Sequence, residues 1–124
     1  MKSCLVIDDS RVIRKVARRI LEDIGFMVDE AEDGMAGLER CRSSMPEIIF
    51  VDSAMPNLDG VGFMKALRRE TIGPVPKMIL WTTENDESQI IQARAAGASE
   101  VMLKPFDKET IEGHLAAVGV FVRQ

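Results

Sequence analysis

Short apolar runs alternate with stretches whose apolar residues recur at helical spacing, and they do so five times along the chain. Residues 4–7 (Cys-Leu-Val-Ile) read as a first strand, after which Val12, Ile13, Val16, Ala17, Ile20, Leu21 and Ile24 fall on one helical stripe. Gly25 follows, where a helix end favours a left-handed residue. Residues 27–32 predict a second strand and 35–41 a short second helix. Pro46 breaks the chain, residues 48–51 predict a third strand, and Val61, Phe63, Met64 and Leu67 mark a third helix. Residues 78–81 predict a fourth strand, with Ile90, Ile91, Ala93, Ala95 and Ala96 in a fourth helix. Residues 101–103 predict a fifth strand, and Ile111, Leu115, Val118 and Phe121 a fifth helix capped by Asp107.

This alternation implies the α/β class, a parallel sheet with helices on both faces, joined by right-handed crossovers. The first and third strands are continuously apolar and belong in the middle. The second carries Asp29, Glu30 and Glu32 and suits an edge. The expected architecture is a doubly wound (βα)5 sheet in the order 2-1-3-4-5. Its ligand crevice lies at the carboxyl ends of strands one and three, where the winding reverses.

Length and charge narrow the function. The 124 residues fit one domain, 1–124, leaving no room for a separate DNA-binding or catalytic module. A chain that is 46% hydrophobic and 29% charged is neither disordered, collagen-like nor coiled coil. A net charge of −4 argues against nucleic-acid or membrane-surface partners. The first apolar run is too short for a signal peptide, and no run approaches the roughly 20 apolar residues of a membrane span. Cys4 and Cys41 form no metal-type pair and read as buried reduced thiols, consistent with a cytoplasmic location.

The strand ends carry the chemistry. Asp8 and Asp9 follow strand one, Asp52 follows strand three, Thr82 and Thr83 follow strand four, and Lys104 follows strand five. A parallel sheet places them all on one rim. Carboxylates brought this close raise one another's pKa, and their natural partner is a hard divalent cation. Mg2+ typically takes one or two carboxylates together with waters and phosphate oxygens. The Lys104 ammonium and Thr82 hydroxyl suit a phosphoryl group, and one carboxylate could attack it to give an aspartyl phosphate. Taken singly, each residue has an ordinary role: Asp9 or Ser10 capping helix one, Asp59 capping helix three, Asp52 opening a turn, Thr82 filling a strand, Lys104 solvated. Matching chemistry at four strand ends argues for a site.

With Asp8-Asp9-Ser10-Arg11, Asp52 behind Ile-Ile-Phe-Val, Met55-Pro56-Asn57-Leu58-Asp59-Gly60, Thr82, Ala96-Gly97-Ala98 and Lys104-Pro105-Phe106 in order, the chain resembles the receiver domain of two-component response regulators. The resemblance spans essentially the whole chain and is to the single-domain, chemotaxis-type members. It implies a flavodoxin-like fold with Asp52 as phosphoacceptor. Asp9 would be the main Mg2+-binding carboxylate, Asp8 would bind through water or as a secondary ligand, and the backbone carbonyl of Ala54 would complete the protein's share. Lys104 would pair with the phosphoryl group, Thr82 would swing toward it, and the Lys104–Pro105 peptide would be cis. The donor would be a phosphohistidine on a histidine kinase or histidine phosphotransfer protein. The output would be a protein-binding face of helix four, strand five and helix five, with no DNA and no membrane insertion. The protein would be a phosphoacceptor that catalyses its own phosphotransfer and dephosphorylation rather than an enzyme, with Ala54 and Glu84 flanking the access route.

Two departures from the family pattern stand out. Val101 lies where many members carry an aromatic that rotates with the switch threonine, and Ser53-Ala54 replaces a bulkier pair. Trp81 and the eight methionines read as core, and His114 as a surface or packing residue. Arg11, Arg14, Lys15, Arg18 and Arg19 make a basic face on helix one, partly offset by Arg18–Glu22 and Arg19–Asp23 pairs; a solvated face and a kinase-docking face both fit it. The competing functions are a phosphate sink or phosphorelay intermediate without an output partner, and a Mg2+-dependent aspartyl-phosphate phosphohydrolase. The second usually carries Asp-x-Asp after strand one, where this chain has Asp8-Asp9-Ser10. A flavin or nucleotide binder would need a glycine-rich loop there.

Overall fold

The structure, a computed structural model, describes residues 2–83 and 87–120; Glu84 and Phe121, both given roles from the sequence, lie outside the described residues. The elements run β1 (Ser3–Ile7), α1 (Arg11–Ile24), β2 (Met27–Ala31), α2 (Gly34–Ser43), β3 (Ile48–Asp52), α3 (Gly60–Glu70), β4 (Lys77–Thr82), α4 (Glu87–Ala96), β5 (Glu100–Leu103) and α5 (Lys108–Ala117). All strand pairs are parallel, in the order β2-β1-β3-β4-β5, as the apolar patterning predicts.

Local chemistry sets the helix starts. Ser10, not Asp9, caps α1, its hydroxyl accepting from Ile13 N at 3.3 Å. Asp59 caps α3 through Gly62 N at 2.7 Å, and Asp107 caps α5 through Thr110 N at 2.8 Å. Each such cap contributes about 1 kcal/mol. Asp33 accepts from Ala36 N at 2.8 Å, so α2 begins at Gly34 and is longer than its apolar residues suggest. Gly25 ends α1 at φ 122°, a conformation a side chain would strain.

Side chains alternate across the sheet, and each face has its own core. Cys4, Val6, Ile48, Phe50, Ile79, Trp81 and Met102 pack under Ala17, Leu21 and Ile24 of α1 and Ile111 and Leu115 of α5. Leu5, Ile7, Ile49, Val51, Met78 and Leu80 pack under α2, α3 and α4.

Two expectations are corrected. The apolar stripe of α1 is wider than its contact with the sheet: Ala17, Leu21 and Ile24 are buried and Ile13 and Ile20 pack at the margin, whereas Val12 and Val16 are 71% and 46% exposed. The methionines are not uniformly core. Met64, Met78 and Met102 are buried and Met55 packs at the core margin, whereas Met27, Met35 and Met45 are exposed; an unbranched thioether suits both settings. Asp23 also accepts from Lys108 Nζ at 2.6 Å, which ties α1 to α5.

Candidate functional site

Strand register assembles the site. Ile7 pairs with Val51, so Asp8 and Asp52 extend the next row, which continues through Trp81 to Met102. The face that is apolar deeper in β1 and β3, at Val6 and Phe50, thus turns polar at its carboxyl edge. One residue beyond β5, Lys104 is fixed by its backbone N–H donating to Thr82 O at 2.9 Å, and the Lys104–Pro105 peptide is cis.

Asp8, Asp9 and Asp52 bring carboxylate oxygens within 4.8 Å of one another. Asp8 is fully buried, Asp52 is 6% exposed, and Asp9 faces solvent. Lys104 Nζ bridges the buried pair, donating to Asp8 Oδ2 at 2.7 Å and Asp52 Oδ1 at 3.1 Å. Burial pushes the Asp52 carboxyl above the ordinary carboxylate range and the Asp8 charge adds to this, against the pull of Lys104. Burial disfavours the Lys104 charge, but the hydrogen bond to Asp8 and the charges of Asp52 and Asp8 outweigh it, so its pKa is raised. Three carboxylates against one ammonium leave a net negative pocket of hard oxygen donors, a set that fits a divalent cation such as Mg2+.

The loop after β3 shapes the entrance. Asn57 sits at φ 71°, in the left-handed region that asparagine tolerates. Gly60 lets α3 start against the strand end, since a Cβ there would overlap the backbone oxygen of Asp52. Ala54 is exposed two residues past Asp52, and Ser53 is half-buried. Thr82 is buried at the end of β4 and Thr83 is exposed. The structure therefore brings Asp8, Asp9, Asp52 and Lys104 into one cluster, with Thr82 and Ala54 on its flanking strand end and loop. A buried carboxylate beside an ammonium and further acids is equipped to accept a phosphoryl group while its charge is neutralised.

Residues 4–116 match the response regulator receiver domain. The chain belongs to that family. The transcriptional regulatory protein CseB of Streptomyces coelicolor is 34% identical over 114 residues, 92% of this chain and 47% of its own length. The probable transcriptional regulator ycf27 of Guillardia theta is 32% identical over 114 residues, 92% of this chain and 44% of its own. The receiver chain thus spans about half the length of the curated relatives it matches. The chemotaxis protein CheY4 of Vibrio cholerae has a TM-score of 0.90 at 31% identity, covering 95% of this chain and 98% of that one. A response regulator of Burkholderia pseudomallei, solved with a phosphorylated aspartic acid, a calcium ion and citrate, has a TM-score of 0.83 at 29% identity, covering 95% of this chain and 66% of that one. No described helix of the receiver is long and apolar enough to cross a membrane.

Three residues matter to this receiver's site in ways that periodicity hides. Trp81, a core residue by pattern, donates its indole N–H to Asp8 Oδ2 at 2.9 Å. Arg14 donates to the backbone oxygen of Asp8 at 2.7 Å and to Glu30 at 3.1 Å. Glu30 also takes Lys15 at 2.8 Å and Arg18 at 2.7 Å, so the basic face of α1 is partly spent on tying α1 to the edge strand. Burial opposes the Glu30 charge, but hydrogen bonds from Lys15, Arg18 and Arg14 hold its pKa down at about 2. The one sequence signal for Glu30 is an acid on an edge strand beside a basic helix. Val101 is half-buried against the core, and His114 lies 3.3 Å from Glu100 in a surface pair.

Proposed function

We propose that this receiver takes a phosphoryl group onto Asp52 from a phosphohistidine of a histidine kinase or histidine phosphotransfer protein. The observation that carries this is the buried Asp52 bridged through Lys104 to Asp8, with Asp9 alongside. A carboxylate oxygen of Asp52 forms the new P–O bond as the P–N bond breaks, and the donor imidazole leaves with the electron pair. Lys104 is placed to follow the charge from the Asp52 carboxylate to the phosphoryl oxygens. Asp8, Asp9, Asp52 and the Ala54 carbonyl would hold Mg2+, which supplies charge neutralisation on the transferring group. Water attack on phosphorus breaks the P–O bond to Asp52, releases phosphate and ends the signal, so the protein acts as a phosphoacceptor that catalyses its own phosphotransfer and dephosphorylation.

Thr82 at the end of β4 links this site to the face of α4, β5 and α5, which we read as the protein-binding output. The likeness to CheY4 supports a chemotaxis-type output of that kind; our reading places it in the cytoplasm, without DNA contact by this domain. The phosphorylated aspartic acid and calcium ion of the Burkholderia pseudomallei relative support the acceptor and cation assignments. Incubation with acetyl phosphate and Mg2+ followed by intact mass is the test. The expected result is a gain of one phosphoryl group that Asp52→Asn abolishes and a chelator prevents. Sustained release of phosphate from simple esters would instead favour a phosphohydrolase.

A further inference from the structure

Trp81 is the sole tryptophan, fully buried, with ring centroids 4.8 Å from Phe106 in a stacked pair and 5.5 Å from Phe50. Packing alone would leave its N–H free to face any nearby acceptor. Instead, Nε1 donates at 2.9 Å to the Asp8 Oδ2 that also takes Lys104 Nζ at 2.7 Å, and Nζ lies 5.9 Å from the indole centroid. Asp8 Oδ1 accepts from Ser10 N at 2.9 Å.

These partners differ in permanence. Lys104 is shared with Asp52 and is drawn toward whatever anion arrives there. The Ser10 amide restrains only Oδ1. The indole is locked between two rings on a central strand and cannot follow the phosphoryl group. We propose that Trp81 is a positioning residue of the phosphotransfer site. Its N–H holds Oδ2 of Asp8 in place and shares that oxygen's charge with Lys104, which leaves the ammonium available to Asp52. The proposal rests on reading the acidic cluster as a cation and phosphoryl site. Without the indole donor, the ammonium would be the main partner of Oδ2 and would pair with it more tightly. A cation would then have to displace it from a less restrained carboxylate, so metal binding weakens.

A single tryptophan gives a single indole N–H resonance, which makes the test direct. In 15N-labelled wild-type protein titrated with Mg2+ alone, that resonance is expected to shift along the same isotherm that calorimetry gives, and Asp8→Asn removes the shift. Trp81→Phe keeps a ring against Phe50 and Phe106 and is expected to weaken Mg2+ about tenfold, the lower end of the range for residues that orient metal ligands. If Mg2+ binds by calorimetry while the indole resonance stays still, or if Trp81→Phe binds it as wild type does, the positioning role is overturned and the site reading stands. If wild-type protein takes up no Mg2+ at millimolar concentration, the site reading itself fails. The wild-type resonance decides the matter even where Trp81→Phe does not fold.

Discussion

Asp52 and Glu30 are both carboxylates near the same end of the sheet, and the fold treats them oppositely. Asp52 is desolvated beside Asp8, so its protonated form is favoured in the folded state. The stability it contributes is present at low pH and is lost as pH rises through its raised folded pKa; at neutral pH its charge destabilises the protein. Asp52→Asn is therefore expected to raise the urea midpoint of the metal-free protein at pH 7 and to leave it little changed at acid pH. A lower midpoint at pH 7 would contradict this electrostatic account. The same carboxylate is thus costly to the bare fold and useful once a cation offsets its charge. Burial also pushes the Cys41 thiol up to about 11, with Glu70 adding to it, which keeps that free cysteine in its unreactive form.

At the scale of elements, Glu30 is the joint between α1 and the edge strand β2. Its folded pKa lies below its unfolded one, so its contribution is present above about pH 4.5 and is lost as pH falls toward about 2. Glu30→Gln is expected to lower stability at pH 7 by about 1–2 kcal/mol, less than the full shift because its cationic partners are partly solvated. Chemical denaturation at pH 7 and at pH 3 checks this, since the difference from wild type should shrink at the lower pH. The tie also bears on partner binding. Arg14 and Arg18 serve Glu30, whereas Arg11, Val12, Val16 and Arg19 are exposed on α1 and remain to meet another surface.

Across the whole molecule, one five-stranded sheet separates two cores, and the site sits where one face of that sheet runs out of apolar residues. Its acids lie just past β1 and at the last residue of β3, and its ammonium follows β5, so cation binding draws on the assembled sheet. Binding to the folded state alone should stabilise the protein by about 2.7 kcal/mol at a hundredfold excess over Kd. The expected outcome is a rise in melting temperature with Mg2+ that a chelator reverses and that is smaller in Asp52→Asn. An equal rise in that variant would place the cation elsewhere.

Strand and helix types, the order of the sheet and the residues gathered at its carboxyl rim were legible in the sequence, because apolar periodicity reports which way each side chain faces within an element. The acids of β2 marked it as an edge, and continuous apolar runs placed β1 and β3 inside. Periodicity cannot report a contact between elements distant along the chain. The Trp81–Asp8 bond joins residues 73 apart and the Lys104–Asp8 pair residues 96 apart, and neither follows from local spacing. Strand register, which a shift of one residue would invert, was settled only when helices closed both faces. Tertiary packing alone placed Asp8, Asp52 and Trp81 in one row, drew three cations of α1 onto Glu30, and left Val12 and Val16 in solvent.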